Sequence, residues 1–113
     1  MLLSDRRPWG YWEEYLNEPG YRVKRLVIHP SLRLSKQRHM HRSERWVVVQ
    51  GEGRATLDLE IRDVRIGDVV CVPVRCIHRL QNTGVNDLII IETQLGLCLE
   101  EDIERIEDDF GRS

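Results

Sequence analysis

Short strand-like runs, each halted by turn-forming residues, follow one another along most of the chain, and that rhythm restricts the fold more than any single motif. Residues 21–29 are rich in Val, Ile and Leu, and Trp46-Val47-Val48-Val49 stops at Gln50-Gly51-Glu52-Gly53. Residues 54–61 set Ala55, Leu57, Leu59 and Ile61 against polar neighbours, the two-residue period of one half-buried strand. Residues 64–66 stop at Gly67-Asp68, 69–72 at Pro73, and 88–93 carry Leu-Ile-Ile-Ile, with Asn82-Thr83-Gly84 as a further turn. Only residues 99–110 offer a helical period, through Ile103, Ile106 and Phe110. Many short strands with frequent turns predict an all-β sandwich or barrel, ending in a short C-terminal helix or turn. At 113 residues the chain is sized for a single domain spanning 1–113, so any site lies in or at the mouth of that fold.

Charge and cysteine content narrow the function classes. A net charge of −2 and a pI near 6.1 argue against nucleic acid or an anionic membrane as partner. The charges are segregated, with arginines in the first half and centre and carboxylates gathered at 100–109, read as a solvated helix face or a lid edge. Cys71, Cys76 and Cys98 form no CxxC and follow no signal peptide, so a cytoplasmic location without a disulfide framework is expected. Cys71 and Cys76, in an apolar strand and its turn, read as small buried hydrophobes. No apolar run approaches the roughly 20 residues of a membrane span.

Two clusters lie between the strands: Gln37-Arg38-His39-Met40-His41-Arg42-Ser43-Glu44 and Pro73-Val74-Arg75-Cys76-Ile77-His78. They hold three of the four histidines together with a carboxylate and an amide, the ligand types that a borderline divalent metal prefers. His29, before Pro30, reads as an ordinary strand-end residue, and Trp9, Trp12 and Trp46 as core or rim packing.

These residues resemble the two motifs of the cupins. Placing the ligand pair of the first motif at His39 and His41 leaves too few residues before Glu44. Placing it at Gln37 and His39 satisfies the spacing to Glu44, to Gly51 and back to Ser31, which stands where the family has Gly. The second motif reads Gly67, Pro73, Arg75 in place of Gly, His78 and Asn82. The likeness extends to the type II mannose-6-phosphate isomerases, through Arg7-Pro8-Trp9-Gly10, Val23-Lys24-Arg25-Leu26, Arg33-Leu34-Ser35, His41-Arg42-Ser43-Glu44, His78-Arg79-Leu80-Gln81-Asn82 and the acidic C-terminal stretch.

The resemblance implies a double-stranded β-helix, or jelly-roll barrel, that dimerises through a sheet edge. One divalent ion (zinc, manganese, iron, cobalt or nickel) would be held by Gln37, His39, Glu44 and His78. It also implies interconversion of mannose 6-phosphate and fructose 6-phosphate, with Arg33, Ser35, Arg42 and Arg79 gripping the phosphate and His41 or Lys24 moving the proton. Three placements stay open for His41: beside the metal, on it in place of Gln37, or exposed. Met40, Arg45, Arg75 and Ile77 depart from the family pattern; Met40 and Ile77 are expected to alter the pocket wall, and Arg75 to reshape its turn. A non-catalytic sugar- or sugar-phosphate-binding domain and a metal-dependent dioxygenase or decarboxylase are the alternative functions.

Overall fold

A computed structural model describes residues 1–113 as eleven strands and no helix. They are β1 (Leu3–Arg7), β2 (Gly10–Glu18), β3 (Tyr21–Ile28), β4 (Lys36–Arg38), β5 (Arg42–Gln50), β6 (Glu52–Leu57), β7 (Glu60–Arg65), β8 (Val69–Val72), β9 (His78–Asn82), β10 (Leu88–Gly96) and β11 (Glu104–Glu107). All pairings are antiparallel, in a six-stranded sheet ordered β1-β2-β3-β10-β5-β8 and a five-stranded sheet ordered β11-β4-β9-β6-β7. From β3 onward the chain crosses between the sheets at every step except the β6–β7 hairpin, the winding of a jelly roll.

The inner face of the larger sheet is built in layers. Leu26, Ile90 and Val48 lie side by side on β3, β10 and β5. They belong to a fully buried cluster with Ile28, Leu88, Ala55, Val64 and Leu80. Burying each such side chain is worth about 1.5–3 kcal/mol, which fixes the register, because a one-residue slip would turn every one of them outward. One step along, the row becomes Lys24, Glu92 and Trp46, and the next is Arg22, Gln94 and Glu44. All six are buried. One end of the barrel is thus filled with hydrocarbon and the other with polar groups that must find partners or a ligand.

Three sequence expectations are corrected here. Residues 54–61 are a hairpin rather than one strand: β6 and β7 meet at the two-residue loop Asp58-Leu59, where Leu59 is fully exposed and Ile61 is exposed. Asp58 tolerates the left-handed conformation (φ 51°), and its main-chain N–H and carboxylate bond to the carbonyl and N–H of Ile77. The C-terminal helix is absent. Residues 104–107 instead pair with β4, and Arg38–Glu104 and Lys36–Glu107 ion pairs flank that ladder. Of the residues giving the helical period, Ile103 lines the pocket while Ile106 and Phe110 are exposed. Cys71 is exposed because β8 turns Val70 and Val72 inward and Cys71 out; only Cys76 is buried.

Candidate metal centre and its pocket

Alternation along β5 turns Arg42, Glu44, Trp46 and Val48 inward and leaves His41, just before the strand, exposed. On β9, His78 faces inward, and β4 places Gln37 directly opposite it. His39 follows β4 by one residue and is buried. The result is a cluster in which ligand atoms of His39, Glu44 and His78 lie within 4.8 Å of one another. Nε2 of His39 is 3.3 Å from Oε2 of Glu44, and Nε2 of His78 is 3.8 Å from Oε1.

Each imidazole is oriented through its other nitrogen. Nδ1 of His39 lies 2.6 Å from the carbonyl of Asp102, and Nδ1 of His78 lies 2.9 Å from that of Cys76. A carbonyl can only accept, so both Nδ1 atoms carry the proton and both Nε2 atoms present lone pairs to the cluster. Nε2 of His78 is buried and has no hydrogen-bond partner. An orphaned lone pair beside a second one and a carboxylate fits a divalent cation, and the donor set suits zinc or another borderline ion.

The charges are arranged accordingly. Burial, outweighing the Glu44 carboxylate, lowers His39 to about 4, so it stays neutral at ordinary pH. Burial also opposes ionisation of Glu44, but the His78 imidazole, the Arg42 guanidinium and His39 outweigh it and bring the carboxyl down to about 2. Its two oxygens accept from Trp46 Nε1 at 3.1 Å and Arg42 Nε at 3.0 Å. Arg42 Nη2 also reaches Nε2 of His39 at 3.2 Å.

The cluster opens into a cavity of about 460 Å³. Lys24, Ser35, Gln37, His39, Arg42 and Glu44 line it. Ser35 donates to the Gln37 side-chain oxygen at 3.1 Å, and the Lys24 ammonium sits 3.9 Å over the Trp12 ring and is paired with Glu100. Arg33, Arg79 and His41 do not line it, nor does His78, which is buried within the cluster. Arg33 grips both oxygens of Asp109 at 2.7 and 2.8 Å. Arg79 donates to the carbonyls of Leu34 and Glu107. Both arginines therefore fasten the C-terminal segment, whose acidic run is a strap of ion pairs rather than a free helix face. Met40 and Ile77 are also absent from the pocket wall, so those departures change the surface instead.

Sequence reasoning missed Glu92, Gln94, Glu100, Arg7, Arg105 and Arg112, all of which line the cavity. Glu92 is buried, raised to about 8 by burial and by the neighbouring Glu44, and accepts from Gln94 Nε2 at 2.7 Å. The signal was present in residues 88–94, where the inward positions read Leu, Ile, Glu, Gln: an apolar strand face that turns polar partway along.

The family model described as mannose-6-phosphate isomerase C-terminal matches residues 3–108. The chain belongs to that family. It is 41% identical over 112 residues to the alginate biosynthesis protein AlgA of Pseudomonas syringae pv. tomato, covering 98% of this chain and 23% of the relative. It is 39% identical over 107 residues to the mannose-1-phosphate guanylyltransferase ManC of Salmonella typhimurium, covering 94% and 22%. The chain thus spans less than a quarter of the length of these curated relatives. A Klebsiella pneumoniae protein with a double-stranded β-helix domain superposes with a TM-score of 0.74 at 18% identity, covering 84% of this chain and 82% of that one. The fold of this family member is that of a cupin, as its motifs imply.

Proposed function

We propose that this domain is a metal-dependent isomerase interconverting mannose 6-phosphate and fructose 6-phosphate. The observation that carries the reading is the His39, Glu44 and His78 set, with its partnerless His78 nitrogen, opening through His39 and Glu44 into a polar cavity of mixed charge in a chain of this family. A divalent ion bound there would polarise the sugar's carbonyl and the adjacent hydroxyl oxygen. Isomerisation moves the C2 proton of the aldose to C1 and the O2 hydroxyl proton to O1, so the pocket must supply a group that accepts and returns a proton. The Lys24–Glu100 pair is assigned to that transfer, the Glu100 carboxylate accepting a proton and the Lys24 ammonium returning one, after which the pair re-equilibrates; His41, outside the cavity, has no part in it. Ser35 holds Gln37 toward the ligand set, and Arg42 keeps Glu44 ionised and aimed.

A second reading is a sugar-phosphate-binding domain without turnover, favoured by the engagement of the Lys24 amine by Glu100. A coupled assay with mannose 6-phosphate, with and without chelator, separates the two. Turnover that disappears with chelator and returns with metal supports the isomerase; metal and ligand binding without turnover supports the second reading.

A further inference from the structure

Arg33 and Arg79 are occupied by the C-terminal strap, and Arg42 lies on the Glu44 carboxylate, so the phosphate end of the pocket needs other cations. Across the smaller sheet, Arg105 on β11 is opposite Gln37 on β4, which is opposite His78 on β9. Directly paired residues on antiparallel neighbours project from the same face. Arg105 and Gln37 of this row line the cavity, and Arg105 stands two strand spacings, about 10 Å, from His78.

Arg105 pairs with no side-chain carboxylate. Its Nη1 donates to the main-chain oxygen of Ser113 at 2.8 Å, and its Nε is buried without any partner. The other guanidiniums at the same mouth are Arg7 and Arg112. Arg112 is bound to both oxygens of Asp108, and Arg7 lies 3.3 Å from Asp5, an exposed pair. Burial, then the charge of Arg112, lowers the pKa of Arg105, and Arg7 adds to the repulsion. Converging like charges and an unpaired buried N–H raise the energy of the protein alone and are relieved together by a bound anion.

Resting on the reading of this cavity as a sugar-phosphate site, we propose that Arg105, flanked by Arg7 and Arg112, anchors the substrate's phosphate at the end of the cavity opposite the metal centre. A guanidinium fork pairs two phosphate oxygens at once, and the row through Gln37 sets the span between anchor and metal.

The test is calorimetry on the full chain with mannose 6-phosphate, mannose and inorganic phosphate, using Arg105→Gln, Arg7→Gln and Arg38→Gln. Arg38 lies next to Gln37 on β4 but is held by Glu104 outside the cavity, so it is the charge-matched control. Arg105→Gln should weaken mannose 6-phosphate binding by at least about tenfold, and Arg7→Gln by about threefold, while Arg38→Gln stays within about twofold and metal content is unchanged throughout. Wild-type affinity in Arg105→Gln, or an equal loss in Arg38→Gln, overturns the assignment. Should Arg105→Gln fail to fold, Arg7→Gln on its separate strand decides by the same criterion. If phosphate binding depends on Arg105 in a protein that does not turn over, the anchor stands and the isomerase reading fails. If Arg105→Gln turns over mannose 6-phosphate with an unchanged KM, the anchor fails and the isomerase stands.

Discussion

Gln37 stands directly across the β4–β9 pair from His78, two residues before His39, so one short stretch of chain supplies both a cavity-lining amide and an imidazole that joins His78 in the cluster. This pairing ties the two motifs together through the backbone rather than through the ion.

One divalent ion per chain is expected, and elemental analysis of the purified protein checks it. His78→Ala should lose most of the metal, because only one imidazole and one carboxylate remain beside the weakly binding Gln37 amide. Gln37→Ala should weaken metal affinity by about tenfold, whereas His41→Ala, exposed and outside the cavity, should leave it unchanged. Retention of metal by Gln37→Ala together with its loss in His41→Ala would transfer the ligand position to His41.

Ser31 and Arg75, which stand where the cupin motifs have glycine, both keep left-handed backbone, with φ of 68° and 66°. The Arg75 turn is not reshaped to suit its side chain. It still delivers the Arg75 N–H to the carbonyl of His39 at 2.8 Å. The strain of about 1–2 kcal/mol at each site is partly offset by the greater freedom glycine gains when unfolded. Ser31→Gly and Arg75→Gly should each therefore stabilise by up to about 1 kcal/mol, raising Tm by up to about 4 °C. A lowered Tm in both would mean that the side chains contribute more than the backbone conformation costs.

Strands β3, β5, β8 and β10 and the gathering of His39, Glu44 and His78 were legible because both leave a signal in one dimension: β8 was expected at 69–72 and found there, and the spacing from Gln37 through Glu44 to His78 follows the motif, whereas β1, β2, β4, β9 and β11 went unrecognised. What was not legible depends on which strands become neighbours. Arg33 and Arg105 look alike in sequence, yet one grips Asp109 while the other lines the cavity with its Nε unpartnered. The hairpin at Asp58-Leu59 was hidden because Leu59 and Ile61 continue an alternation that the chain abandons at the turn. Glu92 was hidden by the apolar residues before it, and only the register against Lys24 shows that its carboxyl is inside.

The pH dependence of the metal-free protein should bend in opposite directions at two groups. His39, ordinarily at 6.5 and lowered to about 4 by burial, contributes fully above pH 6.5. As pH falls from there toward 4, the unfolded chain takes up a proton that the folded one refuses, removing about 3 kcal/mol. Glu92, raised by burial and Glu44 to about 8, behaves inversely: its contribution is full at acid pH and is lost as pH rises through 4.5 toward 8. Glu92→Gln keeps the shape and an acceptor for Gln94 but cannot ionise. Denaturant unfolding in chelator should show Glu92→Gln gaining on wild type between pH 5 and pH 8. A constant difference across that range would mean that Glu92 is not held neutral by the fold.

Arg42 is the only guanidinium on the ligand atoms, donating to Glu44 at 3.0 Å, approaching His39 at 3.2 Å and reaching the carbonyl of Leu99 at 3.2 Å. In the metal-free protein it supplies counter-charge to a buried carboxylate, and removing one member of a buried pair costs about 3–5 kcal/mol. Arg42→Met preserves much of the volume and removes the charge, so the metal-free form should lose stability on that scale. A bound divalent ion supplies positive charge to the same Glu44 oxygens, so the loss should be smaller in the metal-loaded protein. Adding Glu44→Gln to Arg42→Met removes the stranded charge and should restore most of the metal-free stability, a coupling that a double-mutant cycle reads directly. Equal losses with and without metal, and no recovery in the double variant, would show that Arg42 acts through its tie to Leu99 rather than as the counter-charge of Glu44.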